Sequence, residues 1–176
     1  VEKKTNLRQV RLGRKFKISN EKGIEMEIKF RAWDKFEKRM GEVNYIKYSN
    51  VQYTQISARF KKKEKIVDEW FNYGCEDGSD NIILMQYTGE CIPDCGEMIY
   101  DGDILEQSYV SPLDGETIIN RYLVCFENGC YIVKNIGHSP YGDTFLYFIL
   151  NTHDGHFIVK IIGNKFDNSE LLEVEE

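Results

Sequence analysis

Residues 121 to 126 read RYLVCF, residues 130 to 136 read CYIVKNI, and Glu127-Asn128-Gly129 joins them. Both runs are rich in β-branched and aromatic side chains, and Asn-Gly takes the positive φ angles of a tight hairpin turn more readily than other pairs. A chain that forms such a hairpin needs further strands to cover one face of the ribbon. The same pattern recurs along the sequence. In MEIKFRAWDKFEKRMGEV (26–43), Ile28, Phe30 and Ala32 alternate with charged neighbours as far as a polar turn at Asp34 and Lys35, which predicts strand, turn, strand. Tyr45 to Ile56 continues in strand-like residues. IILMQYTG (82–89) is an apolar strand ending at Gly89, and DILEQ follows a turn at Gly102. TFLYFILN and FIVKIIGN flank THDGH and read as another Asp-Gly hairpin.

Other segments read less simply. KKKEK (61–65) is a solvated loop or a helix start. KIVDEWFNY (65–73) is either a short helix or a strand, because Ile66, Val67, Trp70 and Phe71 have partial helical spacing. GCEDGSDN (74–81) and GHSPYGD (137–143) are turn or loop clusters, and Asn168 or Ser169 can cap a short terminal helix. Many short strands with close turns predict a mainly β chain, a small antiparallel barrel or sandwich, and not an alternating α/β sheet.

Length and composition bound the rest. The 176 residues, 41% hydrophobic and with eleven Tyr and ten Phe, suffice for a globular core without disulfide staples. Five cysteines, no stretch of transmembrane length and no secretory leader place the expected home in a reducing cytoplasm, with no membrane partner. Charge is uneven. Residues 1–25 carry a net of +5, and the remainder carries −11. The basic arm could bind nucleic acid or an acidic surface, but a solvated tail is preferred, and an acidic body suits a phosphate backbone poorly. A third reading makes residues 1–25 a mis-annotated upstream extension, with translation beginning at Met26. Lys22-Gly23 is encoded by AAR-GGN, a ribosome-binding pattern, and Ile24 and Glu25 supply a spacer.

Three constellations bear on chemistry. Cys91, Cys95, Cys125 and Cys130, with Cys75 and the histidines in reserve, could assemble a zinc site. Cys125 and Cys130, however, flank the Asn-Gly turn and are better explained as strand residues beside it. His153 and His156 bracket the THDGH turn and could act as an acid–base pair, yet exposed turn histidines are the simpler reading. Asp101, Asp103, Glu97 and Glu106 form an acidic cluster that a hydrolase could use, against the turn chemistry of Asp-Gly. No nucleotide fingerprint or nucleophile elbow is present. No catalytic residue, metal ligand or cofactor is therefore assigned, and any binding site stays unassigned.

Three ordered blocks resemble the YopX family of phage and prophage proteins. EIKFRAWDKFEKRM resembles the family's opening, carried by Phe30, Trp33 and Asp34 in FRAWD. LMQYTGECIPDCGEMIYDGDIL is similar to a family stretch through Gln86, Tyr87, Thr88 and Gly89, then Tyr100, Gly102 and Asp103. IIGNKFDNSELLE matches its close through Gly163 and Asn164. The resemblance covers residues 26 to about 173 and is least good over 45–80. Family members usually carry Lys, Asp and Asn where this chain has Cys91, Pro93 and Cys95, which implies that the thiols are local drift. It implies an SH3-like β-barrel over 84–166, a smaller N-terminal β-rich region over 26–83 and a short helix or tail over 167–176. It implies no reaction. The expected function is a non-enzymatic phage accessory protein that binds another protein or itself. A nucleic-acid-associated protein using residues 1–25 is the alternative, and a small hydrolase is the least favoured.

Overall fold

The structure, a computed structural model, describes residues 8–11, 28–48, 54–74, 80–137, 142–151 and 157–173. Two compact units divide the chain, residues 1–86 and 87–176. The first is built from β1 (Arg8–Arg11), β2 (Phe30–Asp34), β3 (Arg39–Tyr48), β4 (Thr54–Lys62), β5 (Lys65–Tyr73) and the first half of β6 (Ile82–Cys91). Its antiparallel ladder runs β5-β4-β3-β2-β6. The ten residues of β3 serve two partners along one edge. Arg39 to Glu42 face β2, and Tyr45 to Tyr48 face β1. Residues 8–11 of the basic arm are thus a paired strand and not a loose tail; the rest of residues 1–25 and Met26 lie outside the described residues.

Alternation decides which side chains are buried. Ile56 stands opposite both Ile46 and Phe71, Ala58 opposite Val43, and Phe60 opposite Val67. These residues form a core with Ala32 and Ile82, and Phe30, Tyr73 and Leu84 pack against it. Gly41 makes room for the Phe60 ring, since a Cβ there would lie 2.6 Å from a ring carbon and 2.9 Å from the Arg59 carbonyl oxygen. KIVDEWFNY is a strand, because β4 offers it a paired edge and its odd-numbered residues Val67 and Phe71 turn to the core. KKKEK is not a helix start, and only Lys63-Glu64 of it is a solvated turn. It is the tip of the β4–β5 hairpin, with Lys62 paired to Lys65 across Lys63-Glu64. Four lysines at a tip stay fully hydrated while the strands below them pair.

In the second unit the latter half of β6 pairs with β7 (Met98–Tyr100). The main ladder comprises β8 (Asp103–Val110), β9 (Thr117–Glu127), β10 (Cys130–Ile136), β11 (Thr144–Phe145) and β12 (Phe157–Asn164), in the order β11-β10-β9-β8-β12. The Asn-Gly hairpin forms as read, with Glu127 opposite Cys130 and φ of 52° at Asn128 and 84° at Gly129. The inner face of the ladder supplies Leu105, Tyr122, Val124, Val133 and Val159 to a core completed by Ile92, Ile99, Leu146 and Ile149. Among the described residues the ladder is open, with β11 and β12 at its edges.

Two expectations need correction here. TFLYFILN is not a strand beyond Phe145; Leu146–Leu150 is a short helix, α1. Leu146 and Ile149, three apart, bury one side of that turn in the core, and Asn151 closes it by donating its backbone N–H and its side-chain amide to the Tyr147 carbonyl. THDGH lies outside the described residues. The terminal helix is a single 3-10 turn, Ser169–Leu172, and Asn168 gives it no side-chain cap. No described helix is long and apolar enough to cross a membrane.

Candidate functional site

The family-motif residues organise turns. Asp34 is buried at the end of β2, where its Oδ1 accepts the backbone N–H groups of Phe36 and Glu37 at 3.0 and 3.1 Å. Its Oδ2 accepts from the Arg39 guanidinium at 3.1 Å, and Arg39 also reaches Glu69 at 2.6 Å and lies over the Phe60 ring. One carboxylate therefore closes the β2–β3 turn and ties it to β5. Trp33 is buried beside it, and Phe30 packs on the core. Gln86 is exposed at the end of its pairing with Phe30.

The second block works the same way. Tyr87 stands opposite Tyr100, with ring centroids 5.7 Å apart. Thr88 donates its hydroxyl to the Ile99 carbonyl at 2.9 Å, and Gly89 lies in the irregular stretch of the β6–β7 ladder. Asp103 is 1% exposed and accepts the Tyr100 N–H at 2.8 Å. Gly102 donates to the Val124 carbonyl and accepts from the Lys165 N–H, so its backbone joins β9 to the chain after β12. In the third block Asn164 Oδ1 accepts from Phe166 and Asp167, while Gly163 leaves space for the Asn168 side chain.

The residues weighed for catalysis are held by separate partners. Asp101 pairs with Lys165 at 3.6 Å. Glu106 pairs with Lys160 at 2.8 Å and with Arg121 at 3.5 Å. The Lys160 hydrogen bond, and then that of Arg121, hold the Glu106 carboxyl below the usual glutamate range despite its partial burial. Glu97 is exposed and contributes its carbonyl to the Ile92 N–H. Cys91, Cys95, Cys125 and Cys130 are free thiols. Cys91 lies 3.2 Å from the Tyr87 hydroxyl, Cys130 donates to the Glu127 carbonyl, and burial pushes the Cys125 thiol up. Among the described residues, no three His, Cys, Asp or Glu side chains are grouped to hold a metal ion. Cys75, His138, His153 and His156 lie outside the described residues.

A surface that the sequence reading did not single out lies on β11 and α1. Phe145, Tyr147 and Phe148 are 51%, 57% and 56% exposed. Phe148 touches both of the others, with centroids 6.0 Å from each. The rings stand outward because Leu146 and Ile149 take the inward positions of the same short helix. The unit that carries them is one-sided in charge. Residues 87–176 contain sixteen carboxylates and four cations, a net of −12 with histidine neutral. Each of the four cations is engaged: Arg121 and Lys160 by Glu106, Lys134 by Glu127, and Lys165 by Asp101. This arrangement can hold an apolar or cationic group against a ring face.

Fold and surface together define a mainly β protein of two antiparallel units whose motif residues build turns. The sequence model of the YopX protein family matches residues 29–173, and the chain belongs to that family. It is also similar to the crystal structure of protein EF1440 from Enterococcus faecalis, at 25% identity and a TM-score of 0.51, over 83% of this chain and 98% of that one. No curated protein matches the chain.

Proposed function

We propose that this chain is a non-enzymatic accessory protein of phage or prophage origin that acts in the bacterial cytoplasm by binding another protein. The observation that carries the proposal is the exposed aromatic triplet Phe145, Tyr147 and Phe148. Clustered half-exposed rings are costly in water and are enriched at interface centres, where they bury much area for little lost side-chain freedom. The second unit is read, in the same proposal, as an opened SH3-like barrel. Support comes from its strand order β11-β10-β9-β8-β12, that is 4-3-2-1-5 within that ladder, with a helical turn before the last strand. That fold hosts many functions, so the function is argued from the surface.

A photo-crosslinking residue placed at Tyr147 and expressed in bacteria tests the reading. A protein adduct from this position, and none from the same residue placed at Lys62, is expected. An adduct of twice the chain mass would identify self-association. No adduct at Tyr147, or equal yields from both positions, would overturn the proposal. Binding of nucleic acid through residues 1–25 is a second reading, favoured by the net +5 of that segment. It requires salt-sensitive oligonucleotide binding that is lost when residues 1–25 are deleted.

A further inference from the structure

We infer that the Phe145–Tyr147–Phe148 surface takes a basic polypeptide segment, one in which arginines or lysines are interleaved with apolar side chains. The inference rests on the interaction reading above and names the chemistry of its partner. The first support is charge complementarity. All four cations of residues 87–176 are already paired with carboxylates of the same unit, whose net charge is −12 with histidine neutral, and Asp143, exposed two residues before Phe145, makes no ion pair among the described residues. An incoming cation therefore meets a net negative field, which raises its local concentration and its association rate.

The second support lies beside the rings. Asp143 immediately precedes β11, and its Oδ1 accepts the Asn135 backbone N–H at 2.9 Å. That bond fixes the carboxylate two residues from Phe145, leaving Oδ2 for a donor from outside. On the neighbouring strand β10 the one cation, Lys134, pairs with Glu127 and feels the Asp143 charge more weakly, so the two carboxylates together outnumber it. A guanidinium can lie flat on an aromatic face while donating to a nearby carboxylate, whereas an apolar neighbour in the same peptide fills the space between rings.

The same field argues against other occupants. Two copies joined through this surface would bring a net of −12 against another −12, so an isologous pair is opposed by like charge. Nucleic acid and anionic lipid are opposed for the same reason.

Fluorescence anisotropy on the full chain tests the inference with three labelled probes: a short peptide of alternating arginine and leucine, its glutamate–leucine counterpart, and a single-stranded oligonucleotide. The arginine peptide is expected to bind, and to weaken about tenfold on raising salt from dilute buffer to well above physiological strength. Phe148→Ser should weaken it by about tenfold as well, as loss of an interface ring does. The glutamate peptide should not bind, and any oligonucleotide binding by the full chain should be unchanged by Phe148→Ser. Equal binding of the glutamate peptide, or arginine-peptide binding that ignores Phe148→Ser, would overturn the inference. A Tyr147 crosslink without arginine-peptide binding would sink the basic partner and leave the interaction reading standing. Arginine-peptide binding insensitive to Phe148→Ser, with no crosslink, would sink both.

Discussion

Asp34 shows what the motif residues contribute. It is buried, closes a turn with two N–H groups and holds Arg39, so its removal leaves two donors and a guanidinium without their acceptor. Asp34→Ala should cost about 3 kcal/mol or more, read by urea unfolding, because a partly buried pair is broken on one side. Asp34→Asn should cost clearly less, since an amide oxygen still accepts at the turn. Glu106 gives a pH signature. Its folded-state pKa is depressed, chiefly by the Lys160 hydrogen bond, so its contribution is full above the ordinary glutamate range and is lost as pH falls through the depressed value. Glu106→Gln should flatten that acid limb of the stability curve by about 0.5–1 kcal/mol, because both cationic partners are largely solvated. An unchanged acid limb would count against the pairing. Among the described thiols, Cys95 is exposed, whereas Cys125 is partly buried and raised by desolvation. Iodoacetamide near neutral pH should therefore label Cys95 well before Cys125, as mass spectrometry of peptides would show.

The strands were the readable elements. FRAWD, the Asn128-Gly129 hairpin and DILEQ carry their period and their turn residues in the sequence itself, so β2, β9, β10 and β8 follow from local chemistry. The ambiguous KIVDEWFNY was settled by a non-local fact, the free edge of β4. TFLYFILN failed for a related reason: its apolar run satisfies either period, and burial of Leu146 and Ile149 three residues apart selects the helix. The aromatic surface was hidden for the same reason, because Phe145, Tyr147 and Phe148 share an exposed side only once α1 turns. Gly163 marks an element joint that the motif flagged without explaining. A Cβ there would sit 2.2 Å from Asn168 Oδ1, whose acceptor role toward the Asn164 N–H would be lost. Gly163→Ala should destabilise by about 1–3 kcal/mol and expose the 3-10 turn to early hydrogen exchange. Exchange unchanged over 164–172 would contradict that account.

Across the molecule, charge is segregated as sharply as structure. Residues 1–86 carry nineteen cations and thirteen carboxylates, and residues 87–176 carry four and sixteen. The sequence reading found the basic arm but spread the acid over the whole body. Locating it in one unit required knowing where the chain divides. It also required seeing that Glu106 alone occupies both Arg121 and Lys160. The account separates two sets of residues, a buried motif that holds turns and an exposed aromatic surface that takes a basic partner. Titration of the arginine–leucine peptide onto Asp103→Asn and Phe148→Ser, side by side with the parent at a temperature where all three are folded, tests that separation most directly. The account predicts parental affinity for Asp103→Asn and a loss of about tenfold for Phe148→Ser. Parental affinity for Phe148→Ser together with lost binding in Asp103→Asn would contradict it.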